Sequence, residues 1–80
     1  MMLKPITSEK AVKMIDIENT LLFETERNAR KDNIKKEVES AFSVKVEGIR
    51  TMVKGNKKYA YVKLNKSTLA SDLASKLGMI

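Results

Sequence analysis

An 80-residue chain with 42% hydrophobic and 32% charged residues has the composition of a folding protein rather than a disordered tail, and its length suits one compact unit spanning residues 1–80. It contains no Cys and no His, which excludes disulfides, thiolate and imidazole metal sites, cysteine nucleophiles and the commonest general base. Sixteen Lys and Arg against ten Asp and Glu leave a net charge of +6, while a core this small has no space for a deep cofactor cavity, so a polyanionic partner is expected and a cofactor is not.

Met1 to Lys10 lack the apolar run of a signal peptide, and no stretch approaches the ~20 apolar residues of a membrane span, so a cytoplasmic protein without a span is expected. Pro5 reads as a turn and Thr7-Ser8 as an N-cap. Ala11, Val12, Met14 and Ile15 then fall on one side of a short helix over about residues 8–16. From Asn19 to Glu26, Leu21, Phe23 and Thr25 alternate with Thr20, Leu22, Glu24 and Glu26, the period of a strand. Ile34, Val38, Ala41 and Phe42 recur at helical spacing between Lys31 and Phe42, and Asp32 sits in the first turn, where the helix dipole favours it.

Val44 to Lys54 is rich in β-branched residues, but its alternation changes phase: Val44 and Val46 share one side, and Ile49, Thr51 and Val53 the other. One extra residue at Gly48 would return all five to the same side, so a β-bulge is expected there. Gly55-Asn56 forms a tight hairpin turn. The returning strand, Lys57 to Leu64, places Ala60, Val62 and Leu64 inward and Tyr59, Tyr61 and Lys63 outward. Leu69, Ala70, Leu73, Ala74 and Leu77 form a last helical stripe, capped by Ser67 or Thr68 and ended by Gly78. The order is α-β-α-β-β-α. This predicts an α+β fold with a small, largely antiparallel sheet of three to four strands, the hairpin's returning strand in the middle, and helices on the apolar face.

The positive charge is not spread evenly. Residues 1–49 carry nine basic and nine acidic groups, whereas residues 50–80 carry seven basic groups against Asp72 alone. On the fold above, the water-facing side of the sheet carries Arg50, Lys54, Lys57, Tyr59, Tyr61 and Lys63, a mixture in which cations meet phosphates and aromatic rings stack on unpaired bases. The alternative is a solubilising surface, with Lys57 and Lys58 beside the hairpin turn guarding a sheet edge against aggregation. Glu24 and Glu26 share a strand side and could hold a hard cation, but a solvated edge explains them as well. Lys31 and Lys35 repel slightly at i, i+4 on the second helix unless an anion joins them.

Taken together, these segments resemble a known family. Leu3-Lys4-Pro5-Ile6-Thr7-Ser8-Glu9-Lys10-Ala11 is similar to the opening of the ribosomal large-subunit protein family numbered twenty-three in the universal scheme. Ala29, Lys31 and Ile34 through Phe42-Ser43-Val44-Lys45-Val46 resemble its helix and following strand, and Ile49-Arg50-Thr51-Met52 and Ala60-Tyr61-Val62-Lys63-Leu64 its hairpin. The hairpin has no long tip extension, as in the compact archaeal form. The chain departs from the family at Arg50, where asparagine is common, at Arg30, where a neutral capping residue is usual, and at Tyr59, where a second basic residue is usual.

The resemblance implies a structural constituent of the large subunit that binds large-subunit ribosomal RNA beside the nascent-chain tunnel exit, among neighbouring ribosomal proteins. It also implies a docking surface for nascent-chain factors such as the signal recognition particle, with Glu9 at the matching docking position. Charge pattern and resemblance together nominate Lys4, Lys10, Lys31, Arg50, Lys54, Lys57, Lys58 and Lys63 as RNA contacts, with Thr51 adding polar contacts. No enzymatic activity and no metal are expected. The rival reading is a small self-associating protein- or ligand-binding α+β module whose open sheet edge pairs with a copy of itself. A more remote one is a phosphate-handling enzyme using Arg50 as electrophile.

Overall fold

The computed structural model describes residues 3–78. Its elements are β1 (Leu3–Pro5), α1 (Glu9–Glu18), β2 (Thr20–Thr25), α2 (Lys31–Phe42), β3 (Val46–Lys54), β4 (Lys57–Leu64) and α3 (Ala70–Lys76). The strands form one antiparallel sheet in the order β1-β2-β4-β3. β4 therefore lies between β2 and β3, as expected of a hairpin folded back into a β-α-β connection.

β1 corrects the expected element order, because Leu3–Pro5 pairs with Thr25, Glu24 and Phe23 instead of forming a turn. Three residues are too few to show a period, and proline, a turn signal, is also tolerated at a sheet edge, where its missing N–H costs no ladder bond. The ladder continues through the Ile6 N–H, which donates to the Leu22 carbonyl.

The α-helices follow the apolar spacing. α1 starts where Ser8 accepts a hydrogen bond from the Ala11 N–H at 3.2 Å, and it runs to Glu18, two residues further than expected. α2 spans Lys31–Phe42, as its period predicts, although Arg30 at the N-cap makes no side-chain capping bond. The expected bulge in β3 is present as a register shift between Val46 and Gly48. At the hairpin, Gly55 has φ +64° while Asn56 does not enter the left-handed region, the pattern of a turn that needs glycine first.

The core lies between the sheet and α2 and α3. Leu21, Phe23, Val62 and Leu64 from the strands and Ile34 and Val38 from α2 are its largest fully buried side chains. Each contributes about 1.5–3 kcal/mol by leaving water. The Phe23 and Phe42 rings stack nearly parallel, 6.3 Å apart. Ala29, Val46 and Ala60, with Ala70, Leu73 and Ala74 of α3 and Ile15 of α1, complete the cluster.

The start of α3 is held from a distance. Neither Ser67 nor Thr68 caps it; the N-cap is Leu69, with no capping side chain of its own. Asn19 supplies the acceptor, its Oδ1 lying 2.6 Å from the Ala70 nitrogen. The same residue ends α1 in the left-handed conformation at φ 52°. Its amide nitrogen donates to the carbonyls of Thr68 at 3.0 Å and Leu64 at 3.2 Å.

Candidate nucleic-acid interface

The bulge decides which side chains of the hairpin point which way. Partners in a ladder share a sheet face. Val46 pairs with Leu64, Ile49 with Val62, Thr51 with Ala60 and Val53 with Lys58, all on the core side. Gly48 pairs with Lys63, Arg50 with Tyr61, Met52 with Tyr59 and Lys54 with Lys57, all on the opposite side. β2 extends that second face through Thr20, Leu22 and Glu24, and β1 adds Lys4 opposite Glu24.

The structure thus gathers five of the nominated cations, Lys4, Arg50, Lys54, Lys57 and Lys63, on one face with Tyr59 and Tyr61. Lys10 reaches the same face from α1, where it lines a depression with Arg50 and Tyr61. Lys31 does not join them; it is exposed at the start of α2, on the helical side. Glu9 is exposed in the first turn of α1.

Two nominated residues share the other face of the ribbon in the ladder register. Thr51 is half-buried on the core side, opposite Ala60, because Glu47 is skipped in the register and odd-numbered residues beyond it turn inward. Lys58 is an even-numbered residue of β4 and shares the face of Ala60, Val62 and Leu64. Its half-buried side chain crosses to the segment before α2, where the ammonium donates to the Ala29 carbonyl. Lys57 and Lys58, adjacent in sequence, therefore face opposite ways and do different work.

The face is cationic with two loose acidic partners. Lys57 Nζ lies 3.8 Å from Glu24 Oε1, and Lys63 Nζ 3.9 Å from Glu47 Oε1, with the two lysine side chains 62% and 56% exposed. Exposed pairs of this kind are worth about 0–1 kcal/mol, so a phosphate can displace the carboxylate at little cost. Arg50, Lys54 and Lys4 have no carboxylate partner within ion-pair distance among the described residues. Glu24 is thus engaged by Lys57, and no cluster of three acidic side chains gathers among the described residues.

This face is not wholly open, contrary to the sequence expectation. Lys10, Met14 and Glu18, one row of α1, border Arg50, Thr51 and Tyr61 around a depression of about 390 Å³. An adjoining depression of about 410 Å³ is lined by Glu18, Thr20, Gly48, Ile49, Arg50, Tyr61 and Lys63. The Arg50 guanidinium carbon lies 5.7 Å from the centre of the Tyr61 ring, a cation–π contact. Sequence reasoning missed Glu18 here, because it belongs to no local motif and only the path of α1 brings it to Tyr61; Gly48, expected as the bulge, comes beside Tyr61 through its pairing with Lys63.

An antiparallel sheet with α2 and α3 on one face, and on the other a basic, tyrosine-bearing surface bordered by α1, defines a small α+β protein. The model of the family described as ribosomal protein L23 matches residues 1–71, and the chain belongs to that family. It is accordingly a protein of the large ribosomal subunit. No helix among the described residues is long and apolar enough to cross a membrane.

Proposed function

We propose that the protein anchors itself in the large subunit by laying the open face of its hairpin on folded ribosomal RNA, as a structural and not an enzymatic component. Arg50, Lys54, Lys57 and Lys63 contact phosphates, with Lys4 and Lys10 at the margins, and recognition is of RNA shape through phosphate and 2′-hydroxyl contacts. Lys31, on the helical side, makes a separate contact. The observation that carries this reading is the β3/β4 register, which places four cations and two tyrosines on one side of a two-stranded ribbon.

For the remaining surfaces, family membership supports the following reading. The protein sits beside the nascent-chain tunnel exit, next to other ribosomal proteins, and Glu9 on the exposed first turn of α1 takes part in docking a nascent-chain factor such as the signal recognition particle.

The test is binding of the full chain to large-subunit ribosomal RNA across a range of salt concentrations. Each phosphate contact adds about 0.7–0.9 to the slope of log K against log salt. Replacing Arg50 and Lys54 together by Gln lowers that slope by about 1.5; an unchanged slope counts against the reading. Co-sedimentation separates the rival: a chain that stays off large subunits and runs as a dimer is a self-associating module, paired through the outer edge of β3.

A further inference from the structure

The twin depression between α1 and the hairpin has features that phosphate contacts do not use. Its wall is an arginine–tyrosine pair, Arg50 over Tyr61, and both a guanidinium plane and an aromatic ring are surfaces on which an unpaired base stacks. Its two halves, about 410 and 390 Å³, share Glu18, Arg50 and Tyr61, and each volume lies in the range of small-ligand sites. At Gly48 an added Cβ would meet nothing within 4 Å, so the space beside Tyr61 is left open by the absent side chain.

Glu18 makes the depression selective. It is the acidic side chain common to both halves, and it takes part in neither ion pair found among the described residues. A carboxylate accepts hydrogen bonds and donates none. Set against a stacked base, it prefers the base with two parallel N–H donors on one edge, which is guanine with its N1–H and N2–H₂; adenine and cytosine offer one amino group, and uracil a single N–H. Paired bonds to an ionised acceptor are the strong and geometrically specific kind. Lys10 and Lys63 at the rims are placed for the phosphate of the same nucleotide.

We propose that this depression is a binding site for a single unpaired guanine nucleotide of RNA, with the base stacked on the Arg50–Tyr61 pair and its donor edge on the Glu18 carboxylate. The site rests on the RNA-binding reading and adds base selectivity to a surface otherwise blind to sequence.

The test titrates the isotope-labelled full chain with 5′-GMP, 5′-IMP and 5′-AMP and follows backbone amide shifts. GMP is expected to shift Glu18, Gly48, Arg50 and Tyr61 and to bind about tenfold more tightly than AMP, with IMP, which lacks the N2 amino group, in between. Glu18→Gln removes the preference for GMP over AMP. Tyr61→Leu weakens GMP by at least about fivefold. Glu18 is exposed on the last turn of α1, so its variant folds even if the Tyr61 variant does not. Equal affinity for GMP and AMP, or shifts confined to other surfaces, overturns the site. Loss of wild-type binding to large-subunit RNA alongside intact GMP selectivity instead overturns the anchoring reading and leaves the guanine site standing.

Discussion

Asn19 and Ala70 are 51 residues apart in sequence, yet the Asn19 side-chain oxygen accepts the backbone N–H of Ala70 at 2.6 Å and caps α3. The same residue stops α1 in the left-handed region and takes the Leu64 N–H on its own carbonyl, so one side chain joins the end of α1, the end of β4 and the start of α3. Asn19→Ala removes the cap, frees two or more carbonyls and keeps a Cβ in the left-handed region without the polar side chain that makes it tolerable there, for a cost of about 2–4 kcal/mol. Asn19→Gly loses the same hydrogen bonds without the strain and is expected to be about 1 kcal/mol less harmful. Urea unfolding measures both. Hydrogen exchange resolves the local part, with α3 amides losing protection first; a uniform loss across the chain would show that Asn19 does not act through α3.

Lys57 and Lys58 separate RNA binding from stability. Lys57 is exposed on the open face, and Lys57→Gln lowers the salt slope for ribosomal RNA by about 0.7–0.9 with a stability change within about 0.5 kcal/mol. Lys58→Met leaves the Ala29 carbonyl without its donor and costs about 1–2 kcal/mol of stability, while the salt slope stays at the wild-type value. Paired salt titrations and thermal melts decide the matter. A slope that falls for Lys58→Met and not for Lys57→Gln would reverse the assignment of faces.

The N-terminus of α2 is open to improvement. Arg30 already has the extended backbone of an N-cap, φ −99° and ψ 153°, but no side-chain oxygen to meet the first N–H groups. Arg30→Asp supplies that oxygen and a negative charge at the positive end of the helix dipole. A gain of about 1 kcal/mol is expected, which in a domain of this size raises Tm by roughly 4–8 °C. A Tm at or below wild type would mean that another group already satisfies the α2 N-terminus.

Phe23 ties β2 to α2 by stacking on Phe42, and it is fully buried. Phe23→Ala leaves a cavity that the sheet cannot close and costs about 3–5 kcal/mol. Small domains have only about 5–15 kcal/mol in total, so the variant is expected to unfold at far lower urea concentration, as circular dichroism would show. Met52→Ala, on the exposed face of β3, is the matched control and is expected to stay within about 0.5 kcal/mol of wild type.

What the sequence determined by itself was local and periodic. The 3.6-residue spacing of Ile34, Val38, Ala41 and Phe42 marked α2 at both ends, the alternation of Ala60, Val62 and Leu64 fixed which way β4 faces, and the phase change around Gly48 announced the bulge. These signals survive in one dimension because each element buries one side, and burial imposes the element's own period on the residues that make it. The cationic surplus after Ile49 was legible for the same reason, since alternation along two adjoining strands sends Arg50, Lys54, Lys57 and Lys63 to one face once the bulge is counted.

Only the tertiary structure decided the rest, because the deciding contacts join residues far apart in the chain. β1 is three residues long and exists as a strand through its pairing with β2; Asn19 caps a helix that begins half the molecule later; and Lys58 gives its ammonium to a carbonyl in the loop before α2. The Glu18–Arg50–Tyr61 depression belongs to the same group, since it arises where α1 passes the hairpin. A hydrogen bond or a cavity between distant segments leaves no period in either one, so its residues look ordinary until the chain is folded around them.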